Sequence, residues 1–574
     1  MSKIDGGELL VRTMLSAGID HVFTLHGGHL DAIYQACLDH SLPFTDCRHE
    51  AAVGHAAEGY SRSTGKLGVA IVTAGPGFTN ALTAMVNAWL DCIPVLFIAG
   101  APPLRDAETN PLQGGFDQVA MAAPATKYSH RITQTHSIPS IAAHAMRIAR
   151  NGRPGPVFLE IPIDVLFDRV NEEAVKIPQT IVLPSAPAPA IDSVSRAVQM
   201  LNGAERPVIL AGGGILYSGA EDALISFAEN TGTPVFTNGK ARGIPGGDHP
   251  LFGGSFLNLM DIDKIAGGRP DVVLMLGARM GMFTGGLLDT IIPYDAKVIH
   301  VEIDPKEIGR LRDIECPIVA DCRETLDALN AASTAYKWPD RSAWQTATQT
   351  ASYAHHELFA DALTNTESPL HPYQVVDAVV RLADKNAIYV PDGGETYSWI
   401  EMVARPNGAG ACLSMGYLGC LGTGLPMAIG AKVAHPDKQV ICVVGDGAVG
   451  FNIQEFDTMV RHQMPITAVV LNNQAWGMSM HGQEMMFGRN RLAAVELGQT
   501  RYDQVAAGFG CHQEFVTEVD ELEPALKRAF ECGKPGCVNV MIAQNIVAPF
   551  THILMGTWKK ESEIILPYYD NLDA

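Results

Sequence analysis

The chain has 574 residues, of which 47% are hydrophobic and 18% are charged. At about 100–200 residues per domain, this length predicts roughly three domains with separate cores. The 41 lysines and arginines are outnumbered by 62 aspartates and glutamates, which gives a formal net charge of −21. So acidic a chain disfavours polyanionic partners, and we therefore expect neither a nucleic-acid partner nor a membrane partner.

The eleven cysteines and the N-terminal segment bear on localisation. An odd number of cysteines without a CxxC pair, set in apolar segments such as those around Cys92 and Cys442, is typical of reduced core residues. Residues 1–18 lack the apolar run and the small-residue cleavage site of a signal peptide. No apolar stretch is long enough to span a bilayer. These features predict a cytoplasmic protein.

Helix-like and strand-like segments alternate from residue 1 to about 183, which predicts a doubly wound α/β domain with a parallel sheet. The predicted helices cover 8–17, 31–40, 51–64 and 78–91, and the predicted strands cover 21–25, 68–73 and 95–99. A proline-rich linker over 183–189 follows, and it can join neither a helix nor a strand ladder. We therefore place the first domain boundary there.

A second α/β domain is predicted over 190–335, with strands over 207–211, 271–277 and 297–303. The turn-like Gly212–Gly214 and the acidic Glu302 and Asp304 would suit a nucleotide site, but capping of strands in a domain without a ligand is the simpler interpretation. A polar stretch with a predicted helix over 344–363 comes next. A third domain is predicted over 365–545, and a tail over 546–574 is predicted to be a docked arm.

The most informative segment is 439–477. Two β-branched runs, 440–444 and 466–471, predict buried parallel strands, and 453–462 predicts the helix that connects them. The turn over 445–450 matches GxGxxG, a pattern that presents backbone N–H groups to a diphosphate. A nicotinamide site would need an acidic residue at the end of the second strand, and this strand has none.

Asp446, inside that turn, indicates a cation. A carboxylate beside a diphosphate is repulsive unless a divalent cation lies between them, and a hard cation takes oxygen ligands. The second strand ends in Asn472-Asn473, where an amide oxygen could reach the same ion. Turn glycines followed by an Asx-capped loop are the purely structural alternative.

The two motifs together, GDG over 445–447 and NN over 472–473, resemble the diphosphate and metal motif of thiamine diphosphate (ThDP) enzymes, with 473 − 446 = 27 positions between the metal-binding residues. The resemblance implies that Gly445 and Gly447 lie at the diphosphate. It implies that Mg²⁺ is held by Asp446, Asn473 and the carbonyl of Ala475. It also implies that each site takes its pyrimidine and diphosphate domains from different chains. We therefore expect a homodimer at least, and a homotetramer as the full assembly.

Two segments of the first domain, RHEAAVGHAAEGYSR over 48–62 and TAGPGFTN over 73–80, resemble the pyrimidine-binding motifs of the same family. By itself, Glu50 at a helix start could be only a partner of the helix dipole. The resemblance implies that Glu50 pairs with N1′ of the aminopyrimidine, where a proton relay needs an acid. In the segment 415–422 it implies that the carbonyl of Gly419 accepts from the 4′-amino group. Leu421 would be the apolar wedge that bends the cofactor, with an ordinary core role as the alternative.

His26 and His29 stand on a predicted strand-to-helix turn. Zinc is disfavoured because no third ligand lies nearby, and a structural histidine is the usual alternative. These histidines and the segments QACLDH, NAWLD and LRDAETNPLQGGFDQVAMAAPATK resemble the benzaldehyde lyase-like branch of the ThDP family, which cleaves and forms acyloins. The resemblance implies that His29 is an acid/base group and that Gln113 and Tyr397 hydrogen-bond the substrate oxygens. The implied pocket residues are His26, Gly28, Ile163, Met415, Trp476 and Met480.

Two positions depart from that branch: Ile163 replaces a tryptophan, and Ser414-Met415 replaces a cysteine and a histidine. The predicted function is a ThDP- and Mg²⁺-dependent lyase and carboligase that cleaves and forms 2-hydroxy ketones from aldehydes. Loss of the aromatic wall favours small aliphatic substrates. The alternatives are a 2-hydroxyacyl-CoA lyase, for which Lys559 and Lys560 could contact an acyl-CoA, and an acetolactate synthase-like decarboxylating ligase.

Two further alternatives come from other classes. A nucleotide-dependent oxidoreductase would use the GxGxxG turn, but Asp446 and Asn473 disfavour it. A ThDP-binding protein without catalysis is disfavoured by the presence of Glu50, His29 and Gln113.

Overall fold

A six-stranded parallel sheet organises the N-terminal part of the chain. In the computed structural model, which describes residues 2–106, 109, 112–260, 262–284, 289, 291–414 and 416–555, its strands lie in the order Phe44–Asp46, Val22–Thr24, Gly68–Val72, Val95–Ala101, Val157–Pro162 and Ser129–Arg131. Its helices are Gly6–Ser16, Asp31–Asp39, Glu50–Thr64, Pro76–Leu90, Gln118–Ala122, Ile138–Arg150 and Ile163–Phe167. A short antiparallel pair, Lys3–Asp5 with Arg169–Asn171, lies apart from this sheet.

The middle of the chain forms a second six-stranded parallel sheet. Its strands lie in the order Phe252–Ser255, Val235–Thr237, Pro207–Ala211, Val272–Leu276, Lys297–Glu302 and Cys316–Val319. Its helices are Ile191–Asn202, Gly214–Ser218, Glu221–Thr231, Ile262–Ala266 and Cys322–Ser333. The strands read as continuous apolar runs because helices cover both faces.

The third sheet is five-stranded and also parallel, in the order Ile388–Asp392, Val440–Gly445, Ile466–Asn472, Gly536–Met541 and His512–Val516. The helices along this stretch of the chain are Pro372–Leu382, Gly394–Val403, Gly424–Ala434, Asp446–Val449, Glu455–Arg461, Gly477–Phe487, Tyr502–Gly508, Val519–Glu531 and Pro549–Met555. Of these, Gly424–Ala434 and Glu455–Arg461 belong to the same compact unit as the N-terminal sheet. Three parallel-sheet α/β domains confirm the predicted fold class. The predicted arm lies outside the described residues from position 556 onward.

The single helix predicted over 344–363 is wrong. The structure has three short helices there, Ser342–Ala351, Ala354–Leu358 and Ala360–Thr364. The first ends because the carbonyl of Ser352 accepts a hydrogen bond of 3.0 Å from the guanidinium of Arg405, which also stacks on the ring of Tyr353. A carbonyl used in this way is not available to the next helical turn.

The chain divides into two compact units. Of the described residues, the first unit comprises those within 2–185, 416–437 and 452–464, and the second comprises those within 186–414, 438–451 and 465–555. Within the first unit, the helix Gly424–Ala434 packs directly on the helix Glu50–Thr64. A Cβ at Gly430 would lie 2.0 Å from the carbonyl oxygen of Ala56, so only glycine permits this approach.

None of the helices in the described ranges is long and apolar enough to cross a membrane.

Candidate active site

In the second unit, the candidate site lies at the carboxyl edge of the third sheet. The strands Val440–Gly445 and Ile466–Asn472 are parallel neighbours, with Gly445 opposite Leu471. Both strands therefore end at the same edge of the sheet, and ligands bind at this edge in open α/β sheets. Asp446 and Asn473 are the side chains delivered there, as the motif predicted.

Asp446 is a buried carboxylate with an unused oxygen. Its side chain is 3% exposed. Oδ1 accepts a hydrogen bond of 3.0 Å from the backbone N–H of Gly447, whereas Oδ2 has no hydrogen-bond partner among the described residues. Burial raises the pKa of Asp446 to about 7, although the backbone amides of Gly447, Gln474 and Ala475 favour the ionised form. An unsatisfied buried carboxylate oxygen fits a cation ligand.

The loop after the second strand holds the other predicted metal ligands. Oδ1 of Asn473 accepts a hydrogen bond of 3.1 Å from the backbone N–H of Ala475, which is buried. The carbonyl of Asn473 accepts a hydrogen bond of 3.1 Å from the amide of Gln544. A Cβ at Gly447 would lie 2.4 Å from the ring of Trp476, so the turn is open only to glycine. These residues fit a Mg²⁺ and a diphosphate.

The helix Gly477–Phe487 carries the predicted pocket residue Met480 and follows Trp476 directly. Met480 is buried in a small apolar cluster with Ala475 and Val495, against which Trp476 packs. The helix is held by His481, whose Nδ1 lies 2.8 Å from Oε1 of Glu395. Burial lowers the pKa of His481, but the hydrogen bond and charge of Glu395, the carbonyl of Gln544 and the charge of Glu484 together outweigh burial, and the net pKa is raised.

Tyr397 lies on the helix Gly394–Val403 and is buried. Burial raises the pKa of its phenol well above the ordinary value, so the hydroxyl remains a hydrogen-bond donor. It is next to a buried ion pair in which Nε of Arg242 lies 3.5 Å from Oε1 of Glu401.

In the first unit, Glu50 is the first residue of the helix Glu50–Thr64 and is 8% exposed. Oε2 accepts a hydrogen bond of 2.9 Å from Nδ2 of Asn80. Within the part of the chain that the structure describes, Oε1 has no such partner. One carboxylate oxygen is thus fixed and the other can meet a donor on a ligand.

His29 is half-buried in a short 3₁₀ turn, and its Nδ1 lies 3.3 Å from the hydroxyl of Thr73. Burial lowers the pKa of His29, so the imidazole is neutral near pH 7. Its Cβ packs on Gly100, at the end of the strand Val95–Ala101.

Gln113 stands in a turn with a φ of +59° and packs against Gly75. The buried Gln118 joins this turn to the region of His29. Its Oε1 accepts from the backbone N–H of Gly75 and its Nε2 donates to the carbonyl of Gly100, both at 3.0 Å. Gln118 therefore links the backbone of Gly75, which packs against Gln113, with the backbone of Gly100, which packs against His29.

The remaining predicted pocket residues of the first unit differ in exposure. His26 is exposed, stacked on Tyr34, and 3.2 Å from a carboxylate oxygen of Asp31. Gly28 faces open space, and Ile163 is half-buried at the start of the helix Ile163–Phe167. Met415 lies outside the described residues.

Gly419 and Leu421 precede the helix Gly424–Ala434. Gly419 has a φ of +64°, which favours glycine, and a Cβ there would meet nothing within 4 Å. Leu421 is only partly buried. This exposure is compatible with the predicted contact to a ligand.

Three family models match successive parts of the chain: the N-terminal thiamine pyrophosphate (TPP) binding domain at 4–121, the central domain at 194–329 and the C-terminal TPP binding domain at 392–540. The chain belongs to the thiamine pyrophosphate enzyme family. Thiamine pyrophosphate is ThDP, the predicted cofactor, and Mg²⁺ is the usual metal of this family.

Several curated relatives are acetolactate synthases. A probable acetolactate synthase of Mycobacterium bovis is 33% identical over 95% of this chain and 96% of its own length. The acetolactate synthase isozyme 2 large subunit of Escherichia coli is 31% identical over 94% and 96%. A probable acetolactate synthase large subunit of Methanocaldococcus jannaschii is 31% identical over 94% and 92%. These relatives support the ThDP family and not the narrower benzaldehyde lyase-like branch.

Sequence reasoning missed three supporting residues. Asn80 ends the segment TAGPGFTN, so a signal for it was present. Gln118 lies inside the quoted segment LRDAETNPLQGGFDQVAMAAPATK, so a signal was present for it too, whereas His481 carries none because its partner Glu395 is distant in the chain.

Proposed function

We propose that the protein is a ThDP- and Mg²⁺-dependent carboligase that forms 2-hydroxy ketones by joining an acyl unit to a second carbonyl compound. The observation that carries this proposal is the similarity to acetolactate synthases over at least 94% of the chain. Acetolactate is itself a 2-hydroxy ketone. The favoured donor is therefore a 2-oxo acid that loses CO₂, as an acetolactate synthase-like ligase would use.

The chain's own residues have separate tasks in this proposal. ThDP, when bound, would supply an electron sink for the electron pair that is left on the substrate's carbonyl carbon when the adjacent bond breaks. Glu50 holds a proton at N1′ of the pyrimidine, with its other oxygen fixed by Asn80. Asp446 and Asn473 bind the cation with their carboxylate and amide oxygens, and the carbonyl of Ala475 is the third protein ligand.

The remaining predicted residues bind the substrate oxygens or transfer protons to and from them. Gln113 and Tyr397 donate hydrogen bonds to them, and the buried phenol of Tyr397 stays protonated for this purpose. His29 takes a proton from the substrate hydroxyl or returns one to it.

A second candidate is the reversible cleavage of 2-hydroxy ketones into aldehydes, and His29 favours it. Cleavage must remove a proton from the substrate hydroxyl, whereas loss of CO₂ from a 2-oxo acid needs no base. Burial lowers the pKa of His29, which makes it a proton acceptor at neutral pH. Small aliphatic substrates remain the expected class because Ile163 is not aromatic.

A substrate panel separates these candidates. The protein, with ThDP and Mg²⁺, is incubated with pyruvate, acetoin, benzoin, formaldehyde or a 2-hydroxyacyl-CoA, and products are followed by NMR together with released CO₂. We expect CO₂ and a 2-hydroxy ketone from pyruvate. Aldehyde release from acetoin without CO₂ would favour the lyase, and formyl-CoA from the hydroxyacyl-CoA would favour the third alternative. No turnover of any substrate would overturn the proposal.

We also infer a homo-oligomer, a dimer at least, because the family pattern implies that each site takes its two cofactor-binding domains from different chains. The names of two relatives describe them as large subunits, which supports assembly. Light scattering measures this directly. An active monomer would contradict it.

A further inference from the structure

The helix Glu50–Thr64 carries a buried charged cluster that the proposed reaction does not use. His55, Glu58 and Arg62 lie on one face at i, i+3 and i+7 spacing, and all three are at most 2% exposed. Nε of Arg62 donates to Oε1 of Glu58 at 2.9 Å, and Nδ2 of Asn87 donates to both oxygens of Glu58 at 2.8 and 2.9 Å. Glu58 is therefore held as a carboxylate.

On the other side of the cluster, His55 faces a thiol. Nδ1 of His55 lies 3.1 Å from Oε2 of Glu58, and Nε2 lies 3.9 Å from Sγ of Cys420. Cys420 is partly exposed and stands between Gly419 and Leu421. Cys420 is thus next to an imidazole, and the carboxylate of Glu58 orients that imidazole. Enzymes activate nucleophilic cysteines with this arrangement.

The imidazole of this line is charged at neutral pH. Burial lowers the pKa of His55, but hydrogen bonds to Cys420 and Glu58 outweigh it and raise the pKa to about 9. The buried Nε2–H then has the Cys420 sulfur as its acceptor, and a thiolate accepts far better than a thiol. The other charged groups of the cluster are Arg62 and Asp91, which form an ion pair.

We propose that Cys420 is a reactive cysteine, activated by His55 and Glu58, that undergoes exchange with small disulfides. The Cys420 thiol gives its proton to solvent, and the thiolate attacks one sulfur of the disulfide. The new S–S bond forms as the old one breaks, and the leaving thiolate takes a proton from solvent. The product is a mixed disulfide that a dithiol reductant reverses.

The position of Cys420 gives this modification a consequence. It lies between the residue expected to accept from the 4′-amino group and the residue expected to bend the cofactor, so a bulky adduct would weaken cofactor binding. That consequence rests on the proposed function, whereas the modification itself does not. The modification of Cys420 is detected as a change in mass, independently of enzyme activity. Failure of the proposed function would therefore not refute the modification, and absence of the modification would not refute the proposed function.

The chain offers a matched control. Eight of the eleven cysteines are buried, and Cys92, Cys420 and Cys532 are partly exposed. Sγ of Cys532 lies 3.2 Å from the carbonyl oxygens of both Ala529 and Lys534, whereas Sγ of Cys420 lies 3.6 Å from one carbonyl oxygen, that of Leu421, and has His55 on its other side. Sγ of Cys92 accepts from Nε of Arg153 at 2.9 Å and would compete, so it is best replaced.

The test uses the ThDP- and Mg²⁺-loaded protein with Cys92→Ser. It is treated with 2-hydroxyethyl disulfide at pH 6.5 and 8.5, and labelling of each cysteine is followed by peptide mass spectrometry. We expect Cys420 to react at least about tenfold faster than Cys532 at pH 6.5, with less than a tenfold rise between the two pH values. An ordinary thiol with a pKa of about 8.5 should rise by roughly 50-fold over this range. The proposal is wrong if Cys420 reacts no faster than Cys532 or shows the 50-fold rise.

A second variant tests the imidazole. His55→Gln should slow labelling of Cys420 at pH 6.5 by about tenfold or more, because the thiolate loses its cation. An unchanged rate in folded protein overturns the role of His55. If this variant does not fold, the comparison between Cys420 and Cys532 decides the proposal alone.

Discussion

Nδ2 of Asn80 donates a hydrogen bond of 2.9 Å to Oε2 of Glu50, across 30 positions of the chain. The contact fixes the orientation of a carboxylate at the start of a helix and leaves its second oxygen for another donor. An amide in place of the acid could keep the same hydrogen bond from Asn80. Replacing Glu50 by glutamine therefore separates the structural role of Glu50 from its role in proton transfer.

Glu50→Gln should keep the fold and lose turnover by about 10²–10⁴-fold, because the amide still accepts from Asn80 but cannot exchange a proton at N1′. The measurements are the turnover rate, the melting temperature and hydrogen–deuterium exchange at C2 of the bound cofactor. Near-normal C2 exchange in this variant would show that Glu50 is not the acid at the pyrimidine.

Asp446→Ala should abolish retention of ThDP and Mg²⁺, since the cation loses its charged ligand and the diphosphate its counter-charge. Retention is measured after desalting and in a Mg²⁺ titration. The exposed Asp437→Ala is the matched control and should bind as the parent does. Equal ThDP affinity in both variants would show that Asp446 is not a ligand of the cation.

His29→Asn should lower cleavage of acetoin by about 10²–10⁴-fold and CO₂ release from pyruvate by much less. Because burial lowers the pKa of His29, the neutral base persists below pH 6.5, and the cleavage rate of the parent should fall only as pH drops through that lowered pKa. Rate–pH profiles check this, with the exposed His136→Asn as control. Equal losses for both substrates would contradict a role specific to cleavage.

Ile163→Trp combined with Met415→His should raise kcat/KM for benzoin relative to acetoin by about 2–12-fold. An aromatic contact is worth roughly 0.5–1.5 kcal/mol beyond its area, and only differential transition-state binding sets this ratio. If the parent already prefers benzoin by a wide margin, or if the ratio does not move, these two positions do not select the substrate.

Glu455→Gln should stabilise the protein at pH 8 and leave it nearly unchanged at pH 4. Burial raises the pKa of Glu455 to about 7, although a hydrogen bond from Thr458 and the backbone N–H of Arg48 favour the carboxylate. An unfolded glutamate has a pKa near 4, so stability from the protonated form is lost as pH rises from about 4 to about 7, by about 4 kcal/mol. The amide mimics the protonated form at every pH. The free energy of unfolding of the variant and of the parent is measured at pH 8 and pH 4. The same difference between the two proteins at both pH values would refute this prediction.

The sequence by itself determined the three parallel sheets and the edge at which Asp446 and Asn473 meet. Strand and helix periodicities are local, and the carboxyl ends of neighbouring parallel strands must lie together. The turn chemistry of GDG and the NN pair was therefore sufficient to predict a cofactor site, and the family models agree with it.

Only the tertiary structure decided the protonation of the buried groups and the hydrogen-bond partners that fix their positions. The pKa of Asp446 is raised by its burial in the folded chain, which the motif alone does not specify. The helix predicted over 344–363 is interrupted because Arg405, about 50 positions further along the chain, takes the carbonyl of Ser352. His55 and Cys420 are 365 positions apart and meet only because the helix Gly424–Ala434 packs on the helix Glu50–Thr64. Desolvation and hydrogen-bond partners come from residues distant in the chain, and no local pattern encodes them.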